Sequence, residues 1–174
     1  MTGAKITYTF DDAAWRTAVT QVSGVVLHTR ILKLIAVGLV TETESRFDRG
    51  VDAWGVPWKP LNPAYAAIKR GTRILVASGF LQRGLTGQVS GNQVIVGSNR
   101  EYAAVHLFGA VIKPVRAKAL AFRMGKTGPR GGKGSGIVFA RSVTIPARPY
   151  LGFGPRDQRV VMDVLDAAIS RVFG

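Results

Sequence analysis

The sequence predicts one α+β domain, in which a helical layer packs on a mostly antiparallel sheet, with a long protruding basic β-hairpin and a C-terminal helix. Three observations predict this class. Apolar residues recur at helical spacing near both ends of the chain, apolar and polar residues alternate over several short segments between them, and a Gly- and Lys-rich stretch separates two of those segments. A chain of 174 residues is one domain by length, 1–174, and can bury a core.

The N-terminal part combines a short strand with a helical layer. Residues 5–10 alternate polar and apolar side chains, which predicts a strand, and Asp11 or Asp12 then caps a helix. Gly24 is predicted to interrupt that helix. From residue 25 to about residue 47 the apolar positions recur at helical spacing, so this second helix is the longest element and the predicted spine of the core.

Residues 47–61 form an irregular loop rich in proline and aromatic residues. It carries Phe47, Trp54 and Trp58, whereas loops mostly expose polar side chains. Either these rings fold back as a lid on the helices, or Trp54 and Trp58 anchor a neighbouring subunit, since Trp is favoured at interface centres. The lid is the favoured interpretation, and the two tryptophans are candidate interface residues under the other.

Short elements follow the loop. Asn62 and Pro63 start a short helix that runs through residues 68 and 69. Residues 81–89 and 93–97 predict a hairpin that turns at 90–92. Residues 101–109 predict one or two helical turns ended by a Gly cap, and their spacing places Tyr102 and His106 on one stripe.

The C-terminal third holds the predicted hairpin and the last helix. Residues 118–123 and 136–144 alternate and are predicted to pair, while residues 124–135 between them contain no apolar residue after Met124. Such a segment cannot bury itself, so it is predicted to project as a flexible tip whose deletion leaves the fold intact. Residues 156–173 predict an amphipathic helix, with Asp157 near its positive N-terminus.

A nine-residue connector, residues 144–152, joins the hairpin to the last helix. Pro146 and Pro149 fix two φ angles and remove two backbone donors, so the segment neither continues a central strand nor begins inside a helix. The alternative is an ordinary strand end followed by a turn. A stiff connector delivers Arg148 and Tyr150 to fixed places.

The net charge is +14, and its distribution matters more than its size. No acidic residue occurs between Glu101 and Asp157. Between residues 113 and 148 this region contains nine bases, namely Lys113, Arg116, Lys118, Arg123, Lys126, Arg130, Lys133, Arg141 and Arg148. Such a field attracts polyanions or an acidic protein surface, or is a face that is neutralised in a complex. Because the tip carries no aromatic residue for base stacking, a protein partner is favoured over nucleic acid.

The sequence argues against an enzyme, a metal site and a cofactor. Residues 125–127 resemble the end of a phosphate loop, but Leu120 stands where that motif needs Gly and no helix follows. His28 and His106 have no second imidazole nearby, and a loop aspartate such as Asp48 or Asp52 is more often a turn acceptor than a general base. There is no Cys, which fits a protein assembled inside a cell, and the longest apolar run, 31–40, is too short to span a bilayer.

Four segments taken in order resemble one family. They are Phe47 with Trp58-Lys-Pro-Leu61, Ile74-Leu75-x-x-Ser78-Gly79-x-Leu81, Val96-Gly97 followed by Tyr102-Ala103-x-x-His106-x-x-Gly109, and Ile145-Pro-Ala-Arg-Pro-Tyr-Leu-Gly152. This order is similar to the phage virion morphogenesis family, the tail-completion proteins of Mu-like and P2-like tailed bacteriophages. One departure is Asp52-Ala53-Trp54-Gly55, where the family more often has an Asp-Pro-x-Gly turn.

The resemblance implies a non-enzymatic structural protein of the virion, assembled in the host bacterial cytoplasm. Such a protein forms a homo-oligomeric ring, of six copies to match tail symmetry, at the neck or the head-proximal end of the tail. Its partners would be the head–tail connector and the tail tube or terminator proteins, with non-specific contact to genomic DNA in the channel and no membrane. Under this interpretation Arg148, Tyr150, Tyr102 and His106 brace the scaffold, and the basic residues face partners. The alternative is a stand-alone basic nucleic-acid-binding protein.

Overall fold

Helices and antiparallel strands make up the described part of the chain, as the sequence predicts. The computed structural model describes residues 4–9, 13–67, 69, 71–123 and 137–173. Its helices are α1 (Ala13–Arg49), α2 (Pro63–Ala66), a 3₁₀ turn (Gln82–Gly84), α3 (Ala103–Phe108) and α4 (Pro155–Phe173). Its strands are β1 (Ala4–Thr9), β2 (Leu85–Ser90), β3 (Gln93–Ser98), β4 (Ala110–Ile112), β5 (Leu120–Arg123), β6 (Ile137–Ala140) and β7 (Val143–Ile145).

Helix α1 is one continuous element of 37 residues, so the predicted break at Gly24 is wrong. A glycine inside a helix costs only about 1 kcal/mol relative to alanine and keeps its backbone N–H, so the hydrogen-bond ladder continues through it. The predicted caps of this helix, Asp11 and Asp12, lie outside the described residues.

The core lies where α1 crosses the three-stranded sheet and α4. Helix α1 contributes a stripe of buried side chains spaced three or four residues apart, which confirms its predicted role as the spine of the core. The stripe comprises Ile31, Leu32, Ile35, Ala36 and Leu39. Val94 and Val96 of β3 are fully buried beneath this stripe. Val161 of α4 is buried in the same core, on the side of α1 that faces α4. Burial of these side chains is the main force that holds the layers together.

The three-stranded sheet has the order β1-β3-β2 and is antiparallel throughout. Its outer strands both pair with β3, so that Ile6 and Gly87 flank Val96 from opposite sides. The hairpin β2–β3 turns at residues 91–92, within the predicted turn. The predicted strand from residue 81 begins only at Leu85, because residues 82–84 form the 3₁₀ turn instead.

The predicted strand 136–144 is two strands with different partners. β6 pairs with β5, and β7 pairs with β4, each in a separate two-stranded antiparallel sheet. The chain changes partner at residues 141–142. Pro114 and Pro146 follow β4 and β7 and have no N–H to donate, so that ladder stops after three residue pairs. The predicted tip, residues 124–135, lies outside the described residues.

The short helices have the predicted start at Asn62 and the predicted end at Gly109, but α2 ends at Ala66, before the predicted residues 68 and 69. Asn62 Oδ1 accepts the N–H groups of Ala64 and Tyr65, at 3.0 and 3.4 Å, and so caps α2. Helix α3 ends at Gly109, whose φ of 75° lies in the left-handed region that favours glycine. A Cβ at Gly109 would lie 2.7 Å from the backbone nitrogen of Ala147, so this glycine also allows the connector to pass close by.

Candidate assembly interface

The connector of residues 144–152, called the strap below, begins within β7, leads towards α4 and is anchored from three sides. Arg148 is the first anchor and is only 6% exposed. Its Nε donates to the carbonyl of Lys59 at 2.9 Å and its Nη2 to the carbonyl of Pro60 at 3.1 Å. Its backbone N–H donates to the carbonyl of His106 at 2.8 Å. The guanidinium therefore ties the strap to the aromatic loop, while the backbone ties it to α3.

Tyr150 is the second anchor and is fully buried. Its hydroxyl donates to the carbonyl of Ala103 in α3 at 3.1 Å, and its ring lies 5.3 Å from that of Phe47. Burial raises the pKa of the Tyr150 hydroxyl, so the phenol keeps its proton and remains a donor. Trp58 adds a bond from the other side, since its Nε1 donates to the carbonyl of Pro149 at 3.0 Å.

The third anchor is Arg46, near the end of α1. Its Nη1 donates to the carbonyls of Tyr150 and Gly152, at 3.0 and 3.1 Å. Its Nη2 donates to both carboxylate oxygens of Asp157 in α4. Both side chains of this ion pair are 1% exposed. One buried guanidinium thus joins α1, the strap and α4.

Asp157 also caps its own helix. Its Oδ2 accepts the N–H of Gly154 at 2.8 Å, the position just before α4 begins, so the predicted location near the positive helix end is confirmed. Burial raises the pKa of the Asp157 carboxyl, and the Gly154 N–H and Arg46 oppose that rise. Burial of the negatively charged Asp157 carboxylate therefore costs free energy, and the positive charge of Arg46 offsets that cost.

Sequence reasoning missed Arg46, although a signal was present. Residues 41–46 are all polar, a composition typical of an exposed helix end. Counting by helical spacing from Leu39, however, positions 43 and 46 continue the buried stripe, and Thr43 and Arg46 are both buried. A polar side chain on the core stripe of a helix needs an internal partner, and that need would have pointed to Asp157.

The predicted aromatic lid divides into two parts. Trp58 is 5% exposed and its ring meets that of Phe47 edge-on, with centroids 5.5 Å apart. Trp58 therefore belongs to the core of the single chain and offers almost no area to a partner. Trp54 is 64% exposed and lies over Gly152 of the strap, where a Cβ would come within 3.3 Å of its ring. The two tryptophans occupy different environments, and only Trp54 is available at the surface.

The loop keeps its turn although the sequence departs from the family pattern. Asp52 Oδ1 accepts the N–H groups of Trp54 and Val56, at 2.8 and 2.9 Å, and Gly55 adopts a φ of 87°. Asp52 is therefore a turn acceptor, as predicted. Asp48, predicted to share this loop, lies instead in the last turn of α1 and pairs with Arg73 at the surface.

His106 and Tyr102 lie beside the strap. Their rings meet edge-on at 5.9 Å, and His106 Nδ1 is buried without a hydrogen-bond partner among the described residues. Burial, together with the positive charge of Arg148, lowers the pKa of the His106 imidazole. The neutral ring is therefore the stable form at this position.

The predicted basic partner residues fall into three groups. Lys113, Arg116, Lys118 and Arg141 are exposed, and none of the four forms a hydrogen bond or ion pair with any other part of the chain that the structure describes. Arg123 ends β5. Lys126, Arg130 and Lys133 lie outside the described residues. The first four are thus available charges in the connections between β4 and β5 and between β6 and β7.

A half-open cavity of about 680 Å³ lies between the strap and the segment after α2. Its lining is mainly apolar and includes Leu75, Phe122 and Ile145, with Arg148 and His106 on its wall. Among the described residues, no group of three His, Asp or Glu side chains converges to hold a metal ion, either here or elsewhere. Nor, within those ranges, is any helix long and apolar enough to cross a membrane. The anchors hold the strap in place beside a surface that is both apolar and basic.

Comparison with known proteins gives a consistent result. Residues 11–170 match the phage virion morphogenesis family. The chain is 33% identical over 121 residues to "Mu-like prophage FluMu G protein 2" of Haemophilus influenzae, an alignment that covers 69% of this chain and 65% of that protein. It is 23% identical over 148 residues to "Putative capsid assembly protein G" of Escherichia phage Mu, which covers 80% and 78% of the two chains. No solved structure shows a significant match.

Proposed function

This chain belongs to the phage virion morphogenesis family, and from that premise we propose that it forms a ring in the virion of a tailed bacteriophage. The ring contains six copies and lies at the neck or the head-proximal end of the tail. It completes the tail and joins it to the head. This role is non-enzymatic, and it extends the assembly function that the family description and the name of the phage Mu relative indicate.

The observation that supports a joining role most directly is the combination of the anchored strap with unpaired charge beside it. Arg46, Arg148 and Tyr150 fix the strap from α1, the aromatic loop and α3. The exposed bases of the adjoining segments have no acidic residue near them in sequence. A surface that keeps its shape before binding loses little conformational entropy on docking, so rigidity here favours a binding role.

The proposed partners follow from position in the virion and from charge. A ring at this place would touch the head–tail connector on one side and the tail tube or terminator proteins on the other. Its channel would admit the genome, and the basic residues would contact DNA phosphates without sequence preference. The protein would assemble in the host bacterial cytoplasm and remain in the neck or tail of the mature virion.

The experiment that tests this proposal is a null mutation of the gene in the phage that encodes it. We expect lysates with filled heads and separate tails, and few complete particles, by negative-stain microscopy. Supplying the wild-type protein from a plasmid should restore complete particles. Mass spectrometry of purified virions should detect the chain in about six copies. Normal particles from the null phage, or virions that lack the chain, would refute a joining role.

A stand-alone nucleic-acid-binding protein is the second candidate, because the exposed bases Lys113, Arg116, Lys118 and Arg141 are unpaired among the described residues. Binding of a fluorescent duplex to the purified chain, measured over a range of salt concentrations, distinguishes the two. Tight binding by a monomer with a steep salt dependence favours the nucleic-acid role. Ring formation with weak DNA affinity favours the joining role.

A further inference from the structure

The hairpin β5–β6, called the outer hairpin, exposes apolar side chains. Directly opposed residues of antiparallel strands share a face, so Phe139 lies beside Ala121 on one face and Phe122 beside Val138 on the other. Phe122 faces the cavity, whereas Phe139 is 71% exposed. A two-stranded hairpin is marginally stable on its own in water, and exposed apolar clusters mark contact sites. The face that carries Phe139 is therefore a contact site, which another surface would bury.

The segments on either side of the outer hairpin are basic. Val115 is 97% exposed in the connection between β4 and β5, and the exposed bases Lys113, Arg116 and Lys118 lie within three residues of it in sequence. Arg141 adds a further exposed charge just after β6. DNA phosphates would neutralise these charges but would leave Phe139 and Val115 in water. An occupant that satisfies both features has an apolar centre and acidic flanks, and is therefore a protein surface.

The outer face of α4 has that composition. Met162, Asp166 and Ile169 follow each other at spacings of four and three residues, and Asp163 lies beside them, so all four share one exposed face. From residue 162 to residue 170 there are two acids and no base, while the exposed Arg159 lies one turn before Asp163 on the same face. The side chains of Asp163 and Asp166 form no hydrogen bond or ion pair with another described residue.

We infer that copies of this chain bind head to tail, with the outer face of α4 on one copy docked against the outer hairpin and its basic surroundings on the next. Met162 and Ile169 cover Phe139 and Val115, while the two aspartates meet the bases. The inference rests on the proposed ring and names its contact. Because two different surfaces meet, the contact is heterologous, and such contacts close into rings when the rotation permits.

The test is an exchange of charge between the two surfaces. The variant D163K/D166K makes the helix face basic, and the variant R116E/R141E reverses two of the four exposed bases on the hairpin side. Native mass spectrometry and sedimentation should show that each variant alone associates at least about tenfold more weakly than wild type, because like charges now meet. An equimolar mixture should form oligomers in which the two variants alternate, since each altered surface then meets its complement.

Matched variants control for net charge and folding. R30E/K33E removes as much positive charge from exposed positions on α1, and E101K reverses an exposed acid outside α4. Both should assemble as wild type does. The neutral variant D163N/D166N should weaken association less than D163K/D166K does, and circular dichroism should show the helical content of wild type in every variant.

Three outcomes would overturn the inference. If wild-type oligomers tolerate both double variants, the ring uses other surfaces and the proposed joining function stands. If the mixture is no better than the separate variants, the two surfaces do not meet. If the wild-type chain stays monomeric while R116E/R141E loses duplex binding, the basic surface serves nucleic acid. Loss of particles in the null phage is independent of all three results.

Discussion

At the scale of single residues, Arg46 determines how the C-terminal part is held. It is buried, it bonds two strap carbonyls, and it neutralises Asp157. A buried ion pair contributes little net stability compared with apolar residues of similar size, but the removal of one partner strands the other. The role of this ion pair is therefore mainly to determine that α1 and α4 pack together at this point, and its net contribution to stability is small.

We predict that Arg46→Met lowers the free energy of unfolding by about 3–5 kcal/mol, because Asp157 is left charged in an apolar site. The double variant R46M/D157N should recover much of that loss, since a neutral amide still accepts the N–H of Gly154. Chemical denaturation of the three proteins measures this. A double variant as unstable as R46M would show that the strap carbonyls, and not the carboxylate, account for the effect.

Arg148 supports a second prediction. Arg148→Ala should lower the free energy of unfolding by about 1.5–3 kcal/mol, because the carbonyls of Lys59 and Pro60 lose a charged donor. Arg141→Ala, an exposed arginine in the same region, is the control and should change it by less than about 0.5 kcal/mol. Equal effects of the two substitutions would remove the basis for a structural role of Arg148.

His106 makes stability depend on pH. Burial and Arg148 lower its folded-state pKa below the ordinary 6.5, so the unfolded chain takes up the proton first as the pH falls. Above about pH 6.5 His106 is neutral in both states, and the protein keeps its full stability. Below that pH the free energy of unfolding falls, because the unfolded chain binds the proton more readily than the folded chain does. Urea unfolding at about pH 7.5 and about pH 5.5 should show a smaller acid loss for H106Q than for wild type. An identical loss of stability in H106Q and in wild type would show that other titrating groups determine the pH dependence.

At the scale of elements, the packing of α1 on α4 depends on a small residue. A Cβ placed at Gly38 would lie 2.5 Å from Cγ1 of Val160, so the two helices approach at a distance that only glycine allows. The same helix passes close to the sheet at Gly87, where a Cβ would lie 3.0 Å from the carbonyl oxygen of Ala36. Glycines on both sides of α1 let the layers come together.

Gly38→Ala is therefore expected to destabilise the fold, although alanine is the better helix former. We expect a loss of about 1–3 kcal/mol from overpacking, and recovery when Val160→Ala is added. Val37→Ala, at an exposed neighbouring position, should have an effect of less than about 0.5 kcal/mol. Thermal melts of the four proteins measure these changes. Stabilisation by Gly38→Ala would mean that the helices can shift without loss.

At the scale of the whole molecule, charge is separated along one chain. Positive charge collects around the outer hairpin, whereas the exposed acids of α4 lie on a different element. A monomer gains nothing from this separation, because the surfaces remain unpaired among the described residues. An assembly can bring them together and lower the repulsion within each copy.

Trp54 tests whether the loop also serves assembly. Trp54→Ala should change the free energy of unfolding by less than about 1 kcal/mol, because its ring is mostly exposed, yet weaken association. Trp58→Ala is the matched control and should lower stability by about 3–5 kcal/mol through loss of core packing. Denaturation and sedimentation separate the two effects. A strong loss of monomer stability in Trp54→Ala would identify it as part of the lid.

The sequence alone determined the local elements, because their signals lie within a few residues of each other. Helical periodicity identified α1 and α4, Asn62 and Gly109 marked helix ends, and alternation located the hairpin β2–β3. The fold class and the uneven distribution of charge follow from the same kind of observation.

Tertiary structure decided which distant residues meet. The partner of Arg46 lies 111 positions away, and the segment 136–144 divides between two sheets according to which strands are in reach. Likewise Trp54 and Trp58 lie four residues apart in one loop, yet only one is buried. Whether a residue is buried, and which residue it pairs with, depends on the distant segments that pack against it. A local sequence pattern contains no information about those segments.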